Sequence, residues 1–182
     1  MNSTSWRLGA VLVVAVALAA CGKKPLEDAV QKNDRNAVAD AVSKGADVNA
    51  KLAGGDTPLL AAAKAGQSSA AQGLIEGGAD FRVKDADGFG VLHHAAATGM
   101  TGICALLIDR GIPVDDKGPG GATPLMLAVG KNSQETAKFL VRRGASLEAK
   151  NDAGETALDI ATKRGEERFA NDLKLAAQVR AN

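Results

Sequence analysis

Large rings are scarce. There is no tyrosine, one tryptophan and four phenylalanines, so aromatic residues make up 3% of the 182-residue chain. Any core must therefore be packed mainly from Ala, Leu, Val and Ile. Cysteine occurs only twice, which allows one internal bridge at most and excludes a disulfide scaffold. Neither charge is in excess: 22 Lys and Arg stand against 21 Asp and Glu. That balance argues against a broad electrostatic footprint, and no nucleic-acid partner is expected. What is present is an ordinary globular composition, 46% hydrophobic and 24% charged, unlike that of a disordered chain. The length suits one domain or one repeat array.

The uncharged run near the start is short. Arg7 is followed by Leu8 to Ala20 without a charge. A membrane-spanning helix needs about 20 such residues, so the run reads instead as the apolar region of a secretory signal over residues 1–20. It ends Leu18-Ala19-Ala20-Cys21-Gly22, which resembles the bacterial lipobox. The resemblance implies cleavage before Cys21, a diacylglycerol on its sulfur, and a short tether over residues 21–23. Gly22, where Asp is absent, implies sorting to the outer membrane in a Gram-negative cell. The expected location is the bacterial envelope, lipid-anchored and facing the periplasm. Trp6 would leave with the signal. Cys104 would then be the sole free thiol in an oxidising compartment, where burial protects it.

A period of 33 runs through the remainder. Glycines stand at Gly45, Gly78, Gly111 and Gly144, and again at Gly55, Gly88, Gly121 and Gly154. Leu59, Leu92, Leu125 and Leu158 keep the same step, as do Thr57, Thr123 and Thr156, with Gly90 in the missing threonine's place. Gly66, Gly99 and Gly165 end a helix in three units; Asn132, the next best residue for a left-handed cap, does so in the fourth. Thr caps a helix whose first turn accepts Pro. Alanine pairs let two helices approach, and a second helix follows with apolar residues such as Leu74, Ile75, Ile103, Leu107 and Leu140. Such a unit cannot bury its apolar face alone, so the units stack and their ends need polar caps. Glu166, Glu167, Arg168, Asp172 and Lys174 suit the last cap.

The runs Thr57-Pro58-Leu59-Leu60-x-Ala62-Ala63, Gly90-Val91-Leu92-His93-x-Ala95-Ala96, Thr123-Pro124-Leu125-Met126-x-Ala128 and Thr156-Ala157-Leu158-Asp159-x-Ala161 resemble the ankyrin repeat. The resemblance covers residues 24–182. It implies an all-α repeat solenoid of about five helix-turn-helix units joined by β-hairpin-like fingers. The units are an N-terminal capping repeat at 24–56, internal repeats at 57–89, 90–122 and 123–155, and a C-terminal cap at 156–182. Gly90 departs from the family pattern, so the third unit is expected to lose its N-cap and to have a looser finger base. The Gly118-Pro119-Gly120-Gly121 tip is expected to be mobile.

Catalytic constellations are weak. His93 and His94 are adjacent on a helix, so their side chains diverge by about 100° and do not readily share a metal. His93 falls on the family's motif histidine, which the resemblance implies ties neighbouring loops by hydrogen bonds. Cys104 falls on a core position of a second helix. Gly130-Lys131-Asn132-Ser133 lacks the first glycine and the preceding strand of a phosphate loop. Asp115 and Asp116 are an adjacent pair without further partners in the pattern. No enzyme activity, no cofactor and no metal are expected.

The resemblance places partner contacts on the concave face, made of finger tips and the outer side of the first helices. By register the partner-binding residues are Asp56, Lys64, Lys84, Asp87, Phe89, His94, Thr98, Lys131 and Glu155. Phe89 has two open readings: an aromatic anchor for a partner, or a cover for the Gly90 turn. Lys51, Lys84, Lys117 and Lys150 form a column, with acids beside it. The tether is short, reaching about 10–15 Å, so the first unit is expected to lie against the membrane near Lys23, Lys24 and Lys32. The function implied is binding: a monomer that holds or inhibits a protein of the envelope. Similar bacterial proteins beside periplasmic catalases and secreted toxins imply accessory or immunity versions of that role.

Overall fold

The computed structural model describes residues 25–181. The expectations placed on the signal, Cys21, the tether, Lys23 and Lys24 lie outside them. Ten helices and no strands occur among the described residues, in five pairs: α1 (Pro25–Gln31) with α2 (Arg35–Ser43), α3 (Pro58–Lys64) with α4 (Ser68–Glu76), α5 (Val91–Ala97) with α6 (Thr101–Asp109), α7 (Pro124–Gly130) with α8 (Gln134–Arg142), and α9 (Ala157–Lys163) with α10 (Glu167–Ala181). First helices pack on first helices and second on second, so the core runs unbroken along the stack. It is an all-α repeat solenoid, as the period requires.

The starts of the helices follow from their first residues. Pro25, Pro58 and Pro124 open α1, α3 and α7, where a missing N–H removes nothing. Thr57 Oγ1 accepts from Leu60 N, and Thr123 Oγ1 from Met126 N. Thr156 and Asp159 cap each other's backbone in both directions. Alanines fill the seams: Ala62, Ala63, Ala95, Ala96 and Ala128 are fully buried between the first helices, and Leu74, Leu107 and Leu140 between the second. Asn33 (φ 53°) and Asn132 (φ 58°) do in the first and fourth units what Gly66, Gly99 and Gly165 do in the other three.

Two ladders of side-chain hydrogen bonds stitch the units. On the first helices, a carbonyl near each C-terminus accepts from the next unit: Gln67 to Gln31 O, Thr98 to Ala63 O, Ser133 to Ala97 O and Arg164 to Gly130 O. These carbonyls would otherwise be orphaned at a helix end. At the turns after the second helices, Asn49 accepts from Asp80 N and Asp115 from Ser146 N. Thr101 and Thr136 share a 2.6 Å hydroxyl bond between α6 and α8.

Between the units, four fingers span residues 50–57, 83–90, 116–123 and 149–156. Each is closed by a backbone bond from Leu52, Asp85, Gly118 or Asn151 N to Asp56, Phe89, Ala122 or Glu155 O, and the first residue of each pair accepts in turn from Gly55, Gly88, Gly121 or Gly154 N. They are turn-closed loops, and the one isolated β-bridge among the described residues is Lys84 with Gly90. The finger base at Gly90 is therefore paired and not loosened, although α5 has no side-chain cap there. The Gly118–Gly121 tip is also docked. A Cβ at Gly118 would fall 2.9 Å from Phe89 Cδ1, and one at Gly121 would fall 2.7 Å from Asp152 Oδ1. Asp152 N donates to Gly120 O at 2.8 Å across the fingers. The glycines here serve close approach, with φ 66° and 69° at Gly120 and Gly121, and not mobility.

The last cap is less polar than its sequence implies. α10 runs 15 residues against nine for the other second helices, and it exposes Leu175 (58%) and Val179 (74%).

Candidate functional site

The fingers are latched to the first helices, and the latches differ along the stack. In the second unit Asp56 reaches Lys64 at 2.8 Å; in the fifth, Glu155 reaches Lys163. In the two central units those same register positions hold Phe89 with Ala97, and Ala122 with Gly130. All four are half-buried, as is Leu127 beside them. The face made by fingers and first helices is thus apolar at its centre and charged at both ends.

Asp85 organises the central part. Its carboxylate is 1% exposed. It accepts from Phe89 N at 2.9 Å, from Lys64 Nζ at 3.0 Å, and lies 2.8 Å from His94 Nε2. Burial pushes its pKa up, but Lys64, His94 and the Phe89 amide together outweigh that and hold it at about 2. Asn151, two periods on, accepts from Glu155 N in the same geometry. Asp85 was not singled out by the spacing argument. The signal available was this pairing, since both residues sit three before a finger glycine at Gly88 and Gly154.

The nine register-selected residues fall into distinct environments. Asp56, Lys64, His94 and Glu155 are engaged in the latches just described. Thr98 donates to Ala63 O and His94 O. Lys84 lies 3.9 Å from Asp116. Phe89 meets His93 and His94 edge-on, with ring centroids 5.7 and 6.1 Å away, and rests on Gly118. The residue is half-buried. Asp87 and Lys131 are exposed and hold no ion pair or side-chain hydrogen bond. Lys51, Lys84, Lys117 and Lys150 are all exposed.

The candidate nucleophiles are shielded. Cys104 is buried, and burial pushes its thiol up to about 12, so it stays protonated at neutral pH. His93 is fully buried. Its Nε2 lies 3.3 Å from Ala122 O and ties α5 to the third finger, which fixes the proton there and leaves Nδ1 as an acceptor. Nδ1 has no hydrogen-bond partner in the protein. Burial lowers the His93 pKa, and Asp116 opposes that only in part. Among the described residues, no group of three His, Cys, Asp or Glu side chains could hold a metal ion.

Gly90 lies beside the unpartnered Nδ1. A Cβ there would stand 3.7 Å from Nδ1, in open contact, and φ is an ordinary −84°. A threonine hydroxyl would donate to Nδ1 and accept from the α5 amides. Gly90→Thr is therefore expected to stabilise the protein by about 1–2 kcal/mol. Urea denaturation checks this, and a neutral or destabilising result would show that Nδ1 is already satisfied.

A family description of ankyrin repeats in three copies matches residues 26–118, and one of ankyrin repeats in many copies matches 107–161. No curated protein matches the chain. Ankyrin repeat proteins are generally non-enzymatic interaction scaffolds, and the repeats imply protein partners in general. The first match alone spans half of the sequence and runs in register with the helix pairs above; the chain belongs to the ankyrin repeat family.

Proposed function

We propose that this protein is a non-enzymatic binding module that holds or inhibits another protein of the bacterial envelope. A lipid on Cys21 anchors it, its array faces the periplasm, and the outer membrane is the anchoring surface. The observation that carries the binding reading is the pattern of the finger and helix face. An apolar centre at Phe89, Ala97, Ala122, Leu127 and Gly130, flanked by charged latches, matches the anatomy of a protein interface with an apolar core and a polar rim. Asp87 and Lys131 stand on this face without duties in the fold, so they are available to a partner. The Leu18-Ala19-Ala20-Cys21 run supports the anchor.

Photo-crosslinkers placed at 87 and 131 in the full chain, expressed in a Gram-negative envelope, test the face. A discrete adduct is expected from both positions and none from 142, on the last turn of α8. Adducts from 142 alone would move the interface off this face. Fatty-acid labelling tests the anchor separately: label is expected on the wild type and absent from Cys21→Ser. An unlabelled wild type would remove the anchor and leave the binding face standing.

A further inference from the structure

The ladder at the turns after the second helices has one gap. Asn49 and Asp115 each accept from the backbone N–H found 31 residues later, at Asp80 and Ser146. The equivalent pair in the middle of the stack is Arg82 and Pro113. Both members have changed. Proline has no N–H to offer, and arginine has no acceptor to meet one. Arg82 is therefore released from the structural task of its register.

It is used otherwise. The Arg82 guanidinium lies 5.6 Å from the Phe81 ring centroid, and that of Arg110 lies 6.0 Å from the same centroid. Both cations lie within about 6 Å of the centre of one half-buried ring, and neither makes an ion pair. Arg143, one period after Arg110, shows the alternative: it pairs with Asp109 while lying over Phe139. Beside Phe81 a recess of about 160 Å³ opens between the second and third fingers, walled by Val83, Ile112 and Pro113. Its one carboxylate, Asp116, faces Lys84 at 3.9 Å and the His93 ring at the same distance.

Each guanidinium is attracted to the ring, and both stay exposed with their donor forks unpaired, available to an anion. Planar guanidinium forks match phosphoryl oxygens two at a time, and two of them suit a dianion better than a single carboxylate. We propose that Arg82 and Arg110, seated on Phe81, form a binding site for a phosphate monoester group. The site lies on the turn side of the stack and is independent of the partner face and of the anchor. The group can be supplied by a soluble phosphate or by a lipid headgroup.

Modification of arginine by phenylglyoxal, followed residue by residue by mass spectrometry in the full chain, reads the site locally. Inorganic phosphate is one arm, and vesicles of phosphatidylcholine with or without phosphatidic acid are the other, at matched ionic strength. Protection of Arg82 and Arg110 by about fivefold or more is expected at saturation, with Arg142 unprotected. Protection by free phosphate identifies a soluble source; protection only by phosphatidic acid vesicles identifies a headgroup. Arg82→Lys, which keeps the charge and loses the fork, is expected to abolish protection of Arg110 while leaving the melting temperature unchanged. Equal modification rates at all three arginines in every arm would overturn the site, as would equal protection of all three.

Discussion

Gly121→Val is expected to lower the stability of the array by about 3 kcal/mol. Two causes add. The residue has φ 69°, where a β-branched side chain is strained, and its Cβ would lie 2.7 Å from Asp152 Oδ1 and 3.1 Å from the Asp152 backbone nitrogen. The neighbouring backbone is held by its bond to Gly120 O, so it has little room to yield. Two controls separate the causes. Gly55 has φ 84° with nothing near its Cβ position, so Gly55→Val measures backbone strain alone. Gly54 is open and has an ordinary φ, so Gly54→Val should change stability by no more than about 0.5 kcal/mol. If Gly121→Val is no worse than Gly55→Val in urea denaturation, the fingers are not docked as described.

Asp85→Asn is expected to remove about 2 kcal/mol at neutral pH. The asparagine keeps an oxygen for Phe89 N but loses the charge that holds Lys64 and His94. The pH dependence gives the stronger test. The folded carboxyl titrates at about 2, below the unfolded value near 4, so the unfolded chain binds its proton first as pH falls. The stabilisation is complete above about pH 4 and is lost as pH falls toward 2. Wild type and Asp85→Asn should therefore differ at pH 7 and converge near pH 2. A gap that persists at pH 2 would assign the effect to packing and not to charge.

The period of 33 was legible because every unit must solve the same problems: a capped start, a left-handed stop and a close helix seam. Asn132 shows that the conformation, and not the letter, is what repeats: it takes the glycine conformation at the helix stop. His93 was legible for the same reason, as a tie to the neighbouring finger. What stayed hidden depends on neighbours in space. Gly118 and Gly121 read as mobility because glycine alone carries no record of Phe89 and Asp152 pressed against it. Gly90 read as a loose base because the bridge with Lys84 uses backbone atoms that any residue has. Phe89 packs on His93, His94 and Gly118, neighbours its own repeat does not reveal. Asp85 passed for one more surface acid beside the lysine column; its burial follows from the finger folding back onto α5. The gap at Arg82 and Pro113 emerges only once the Asn49 and Asp115 bonds define what the position normally does.

The finger and helix face is proposed to bind a protein of the envelope. The most direct measurement is affinity capture by the tagged full chain from a detergent-solubilised native envelope, read by mass spectrometry, with Asp87→Lys combined with Lys131→Glu as the paired variant. That pair is preferable to a change at Phe89, whose ring packs on His93, His94 and Gly118, because neither side chain contributes a bond to the fold. One stoichiometric partner is expected on the wild type, weakened about tenfold or more by the charge reversals, with both chains equally stable. Equal recovery on both chains, or no enriched protein on either, would contradict it.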